Sequence, residues 1–183
     1  MHRLFAVLLA GFLSASAMAE TAANDFALRL DKLFAALHSE LNETTSKLVE
    51  MQIWALWASA STPEAVKQLA EASSALTMGD QNTAEQKLDA LIKAQPDFAE
   101  AWNRRATLYF MQQRYEESLA DIAHVLELEP RHFGALSGKG MVLRALNRPA
   151  EALRAMKESL AVDPYLAGMK NSIEQMEKLN PDL

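Results

Sequence analysis

Cysteine is absent from this 183-residue chain. Its absence removes disulfides, zinc–thiolate sites, c-type haem attachment and the lipidated cysteine of a bacterial lipoprotein. Basic charge is also short: 18 lysines and arginines face 24 aspartates and glutamates, for a formal net charge of −6. A nucleic-acid partner wants a basic face, so this balance argues against one. It equally gives no reason to expect attachment to an anionic membrane. A membrane-spanning helix needs roughly 20 apolar residues, and the apolar run at residues 4–13 is shorter than that.

Catalytic signatures are as scarce. The stretch Gly134-Ala135-Leu136-Ser137-Gly138-Lys139-Gly140 looks like a phosphate loop until its spacing is counted. Three residues separate Gly134 from Gly138 where the motif needs four, Gly140 follows Lys139 where Ser or Thr is needed, and no strand precedes it. Small residues on a helix that packs closely explain the stretch better. His38, His124 and His132 show no metal-ligand spacing. Asp121 and His124 could share a helix face at i, i+3, an arrangement that is common and usually idle. Glu116 and Glu117 fall where a solvated helix carries charge, and Ser118 falls at a small packing position. No catalytic residue, metal or cofactor is expected, and the chain reads as non-enzymatic.

The amino terminus has the pattern of a secretory signal: Arg3, the apolar run at residues 4–13, and the small-x-small site Ala17-Met18-Ala19. Cleavage before Glu20 would remove residues 1–19, leaving 164 of the 183 and, with Arg3 gone, a net charge of −7. The expected location is the periplasm, with no stable membrane span after cleavage. Residues 20–62 read as a helical hairpin. In its first helix Phe26, Leu30, Leu33, Phe34 and Leu37 form one stripe, with Asn24 or Asp25 as N-cap. The second helix, about residues 44–60, carries no charge from Met51 to Pro63, so it should be buried on more than one face. Trp54 and Trp57, at i, i+3, read as a wedge between the first helix and the segment that follows. The other reading makes them a docking surface, including one for a second copy of the chain.

The rest of the chain keeps a fixed beat. Pro96, Pro130 and Pro164 are 34 residues apart, each closing a run that reads helix, turn, helix. With windows 65–98, 99–132 and 133–166 in register, Gln68, Trp102 and Leu136 coincide, as do Ala72, Ala106 and Gly140, and Ala75, Tyr109 and Leu143. In the second helices Ala84, Ser118 and Ala152 coincide, then Leu88, Ile122 and Met156. Ser61 with Glu64 has capping-box spacing before Pro63. The turns fall at Met78-Gly79-Asp80, Gln113-Arg114 and Asn147-Arg148-Pro149. A final helix over about 167–179 has a polar outer face and would cap the stack.

This pattern resembles the tetratricopeptide repeat. The resemblance implies an all-α fold, a right-handed α-solenoid of three helix pairs over residues 63–183, with the N-terminal hairpin before it and the capping helix after it. It further implies that the first helix of each pair lines a concave groove holding a protein or peptide segment. The groove residues would be Asn103, Arg104, Thr107, Phe110 and Met111 from the middle repeat and Ser137, Met141 and Arg144 from the third, with Leu69, Ser73 and Leu76 from the first. Arg104 and Arg144 would suit a carboxylate. One subfamily clamps the acidic tails of cytosolic chaperones with lysine and asparagine, and Leu69 and Ser73 stand in those places here. The function implied is that of an adaptor or assembly factor of the cell envelope. The alternative is homo-oligomerisation through the hairpin, and an enzyme of unknown type comes last.

Overall fold

In the computed structural model, which describes residues 15–181, nine helices and no strand occur among the described residues. They are α1 (Ala15–Leu37), α2 (Glu43–Ala58), α3 (Pro63–Thr77), α4 (Gln81–Ala94), α5 (Ala99–Met111), α6 (Tyr115–Leu128), α7 (Phe133–Ala145), α8 (Pro149–Val162) and α9 (Met169–Leu179). Three antiparallel pairs, α3–α4, α5–α6 and α7–α8, stack in order, and α9 packs on α8 as the cap.

The periodic residues do what their register requires. Ala72, Ala106 and Gly140 are buried at the crossings within the three pairs, and so are Ala84, Ser118 and Ala152 opposite them. Leu88, Ile122 and Met156 fill the space between helices. The three prolines end their helices through the residue in front. Gln95, Glu129 and Asp163 are C-caps with extended backbones at φ −138°, −139° and −127°, because a following proline disfavours helical geometry. The turns inside the pairs also repeat. Gly79, Gln113 and Asn147 all have positive φ, at 79°, 61° and 57°. The next amide in each case donates back five residues: Asp80 to Ala75, Arg114 to Tyr109 and Arg148 to Leu143. This is the Schellman closure, which needs a left-handed residue; Gln113 and Asn147 accept the strain that Gly79 avoids.

Ion pairs within and between the repeats follow the same beat. Lys87 reaches Glu71 at 2.7 Å, and Arg105 makes two bonds of 2.8 Å to Asp121 with a third of 2.7 Å to Asp89. Arg105 thus joins α4, α5 and α6. Arg114 lies 4.0 Å over the Tyr109 ring and reaches back to Glu85 at 2.6 Å.

Some expectations need correction. Among the described residues α1 starts at Ala15, so Asn24 and Asp25 lie inside a helix and neither is its N-cap. The apolar run at residues 4–13 lies outside the described residues. The cap of α3 is Thr62, whose hydroxyl accepts from the Ala65 amide, because Pro63 occupies the first helical position and the cap must directly precede it. The hairpin is no wedge before the first repeat. It passes that repeat by and packs on the second and third: Leu30, Phe34, Leu37, Ile53, Leu56 and Trp57 form one cluster with Phe133, joined by Val162, Tyr165 and Leu166. Arg131 ties this seam to α1, with a 2.6 Å bond to Asp31 and its guanidinium 4.6 Å over the Phe34 ring.

Candidate functional site

The stacking of α5, α6 and α7 leaves a cavity of about 200 Å³ on the groove side of the second and third repeats. Of the eight groove residues expected from the second and third repeats, five line it: Asn103, Thr107, Phe110, Ser137 and Met141. Their helical spacing puts them on the facing sides of α5 and α7. Ala106, Ser118, Ile122, Gly134, Ala135, Gly138 and Val142 complete the wall. Sequence reasoning passed these over because they sit at packing positions.

Donors in this wall are already spent. The Thr107 hydroxyl donates to the Asn103 carbonyl at 3.0 Å, Ser137 to Phe133 at 2.8 Å, and Ser118 to Ala106 at 2.7 Å. Backbone satisfaction of this kind leaves apolar atoms as what the cavity offers. Met141 is exposed at its rim, Met111 is exposed on α5, and Arg144, one turn beyond Met141, is exposed with no ion pair among the described residues.

Arg104 and Asn103 point to a different task. Both serve Glu100, a fully buried carboxylate in the first turn of α5. Asn103 donates to its Oε2 at 3.0 Å, and an Arg104 nitrogen lies 2.9 Å from Oε1. That contact is out of line for a hydrogen bond, so Oε1 and the buried Arg104 Nε both lack a hydrogen-bond partner. The third neighbour is His132, also fully buried, with Nε2 3.3 Å from Oε2. Its Nδ1 accepts from the Ala135 amide at 3.1 Å and so caps α7. An acceptor Nδ1 leaves the proton on Nε2, so His132 donates to Glu100. Neither Glu100 nor His132 carried a sequence signal, since the two stand 32 residues apart at opposite ends of one repeat.

The hairpin closes one end of this arrangement. The Trp57 ring stacks on His132 at 4.0 Å and 12°, and Trp54 meets His132, Phe133 and Trp57 edge-on at 5.3 Å each. Trp54 also lies against Gly134, where an added Cβ would sit 2.3 Å from its Cη2. Trp57 is 3% exposed and offers no face to a second copy of the chain, while Trp54 is partly buried. Leu69 is buried in the core of the first repeat and is no groove residue. Among the described residues no group of three or more His, Asp or Glu could hold a metal, and no helix is long and apolar enough to cross a membrane.

A stack of helix pairs with an apolar, side-chain-sized cavity on its inner face defines the class as a helical-repeat scaffold. The tetratricopeptide repeat model matches residues 69–128. A TPR repeat-containing protein of Rhizobium etli is 36% identical over 136 residues, which cover 74% of this chain and 67% of that protein. The chain belongs to the tetratricopeptide repeat proteins, whose domains are generally protein- or peptide-binding and typically non-enzymatic. Among solved structures, the first TPR of Spaghetti (RPAP3) bound to the HSP90 peptide SRMEEVD matches with TM-score 0.63 at 17% identity, covering 67% of this chain and 97% of that one. A MamA RS-1 double mutant matches with TM-score 0.60 at 16% identity and covers 86% of both chains. At these identities the likeness is one of fold.

Proposed function

We propose that this protein is an exported, non-enzymatic adaptor or assembly factor of the cell envelope that holds a protein or peptide segment in its concave groove. The observation that carries the reading is the cavity between α5 and α7, whose hydroxyls are all turned back on their own helices or their partner helix. Such a cavity takes an apolar side chain. Phe110 and Met141 supply a surface that can adapt to it, and Arg144 stands free to meet an acidic group nearby on the same segment. Export rests on Arg3, the apolar run at residues 4–13 and Ala17-Met18-Ala19, and it makes the periplasm the place of action. The HSP90 peptide held by the Spaghetti domain illustrates a segment bound by this fold. Leu69 and Ser73 replace the clamp residues here, so a different segment is expected.

The test is a cross-linking capture from envelope extract with three proteins: wild type, Met141→Glu with Arg144→Ala, and the exposed α8 pair Arg154→Ala with Glu158→Ala. The groove pair should lose the segment that wild type captures, with helical circular dichroism unchanged. Loss with the α8 pair and retention with the groove pair would move the site elsewhere. The intact mass of periplasmic protein tests the cleavage before Glu20.

A further inference from the structure

The α1–α2 turn is fastened to the connector between α8 and α9. Tyr165 takes a hydrogen bond from the Leu41 amide and gives one to the Ser39 carbonyl, each 2.8 Å. Beside it His38 lies between two carbonyl oxygens: Nδ1 is 2.9 Å from Phe34 O, at the end of α1, and Nε2 is 3.0 Å from Ala161 O, near the end of α8. A neutral imidazole has one N–H, so it can satisfy one of these oxygens and turns a lone pair on the other. The imidazolium donates to both. Two helix C-termini also favour a positive charge at this point.

We infer that His38 is a pH-sensitive latch: its imidazolium bridges α1 to α8 and holds the hairpin on the second and third repeats, and loss of its proton loosens that hold. Asp163 is the charged group that faces His38 from the α8 end. It is fully buried, with Oδ1 accepting from the Tyr165 amide at 2.9 Å and Oδ2 without a hydrogen-bond partner among the described residues. From α2, Glu50 senses Asp163, and Lys47 senses Glu50. The two carbonyl bonds hold the His38 pKa above its ordinary 6.5 against the opposing effect of burial, with a lesser contribution from Asp163. Burial pushes Asp163 and Glu50 up as well.

All three shifts have the same sign. A group whose pKa is higher in the docked state contributes stability that is complete below its ordinary pKa and is lost as pH rises through the raised one. For Asp163 and Glu50 that loss begins just above the ordinary carboxylate range; for His38 it begins above about 6.5. The Phe34 bond is local to the end of α1 and survives release; the Ala161 bond and the Asp163 charge come from the repeat side, so through them the docked hairpin binds more protons than the released one, and mild acid tightens it. Release would uncover Trp54, Trp57 and Phe133 at the closed end of the groove. The latch stands on its own geometry and does not depend on what the groove binds.

The absence of cysteine makes the test direct. Spin labels at Leu28→Cys on α1 and Glu158→Cys on α8, in the full chain, report the hairpin-to-repeat distance by pulsed electron resonance between pH 5.5 and 8.5. One short distance is expected at the acid end, with a longer population growing as His38 titrates, and His38→Gln should abolish that growth. In parallel, proton resonance of the His38 ring should give a midpoint above about 6.5. A midpoint at or below that value, a pH-invariant distance, or a His38→Gln protein with the wild-type response would each overturn the latch.

Discussion

Helix α7 carries three glycines in seven residues, and the structure gives each a different consequence on substitution. Gly134 is the informative one. An alanine Cβ there would lie 2.3 Å from Cη2 and 2.8 Å from Cζ2 of Trp54, distances at which something must move. The indole has little room to do so, because Trp57, His132 and Phe133 each meet it edge-on at 5.3 Å. Overpacking of this kind costs about 1–3 kcal/mol. Alanine returns at most about 1 kcal/mol in helix propensity, and less in a first turn. Gly134→Ala should therefore destabilise the protein by about 1–2 kcal/mol, a fall in Tm of roughly 2–8 °C for a chain of this size. Gly138→Ala is the matched control: its Cβ would touch only Ile122 Cδ1, at an ordinary 3.7 Å. It should gain about 0.5–1 kcal/mol. Thermal melts followed by circular dichroism give both numbers, and one-dimensional proton spectra show whether the Trp54 indole resonance moves in Gly134→Ala alone. A Gly134→Ala protein that melts at or above the wild-type temperature would refute the docking of the hairpin on α7.

Other substitutions test other links. Arg105→Ala leaves Asp121, almost wholly buried, without its two-bond partner, and should cost about 3–5 kcal/mol in a denaturant titration; Arg105→Lys should recover only part of this, because a point charge cannot reproduce the fork. Gln113→Gly relieves a left-handed residue at φ 61° and should raise stability by up to about 1 kcal/mol, measured by the same titration. Ala106→Leu, at a crossing where Ala106 is 3% exposed, should overpack α5 against α6 and cost about 1–3 kcal/mol; an unchanged melt would contradict the repeat register.

The repeats were legible because their signals are local and recur. A small residue every 34 positions, a proline after each second helix and a turn residue between the helices each act within one repeat, and repetition lifts them above chance. The hairpin was half legible. The stripe of Leu30, Phe34 and Leu37 announces a helix with one buried face, but a stripe does not say what covers it. The covering surface is Phe133 with Val162 and Tyr165, about a hundred residues away. Trp54 and Trp57 were read as a wedge against the neighbour in sequence, and they pack instead on His132 and Phe133. Gly134 held the missing clue, a small residue at a place where its repeat equivalent is Glu100. Its meaning required knowing that an indole lies above it. Arg104 shows a similar limit. An arginine on the groove side of a helix reads as a ligand anchor, and only the burial of Glu100 one turn earlier shows that its charge is already engaged.

That last point bears on how the groove must be probed. Arg104 and Arg144 both read as groove arginines in the sequence and have opposite parts in the energetics. Truncating Arg104 leaves Glu100 with Asn103 and His132 as its neighbours and no cation, in a position with no access to water. Glu100 is buried but the Arg104 side chain is 40% exposed, so solvent screens the pair and its loss should cost about 1–3 kcal/mol; the disturbance would pass to His132, to the cap it places on α7, and to the Trp57 ring stacked on it. An Arg104→Ala protein that fails to capture a partner would thus say nothing about contact with that partner. Arg144 makes no such bonds, so Arg144→Ala should leave the melting temperature within about 0.5 kcal/mol of wild type in free-energy terms, and any loss of capture would belong to the groove. The two variants compared side by side, in one denaturant titration and one capture assay, separate folding from recognition. If Arg104→Ala proves as stable as wild type, Glu100 is not held as a buried carboxylate and the division between the two arginines falls.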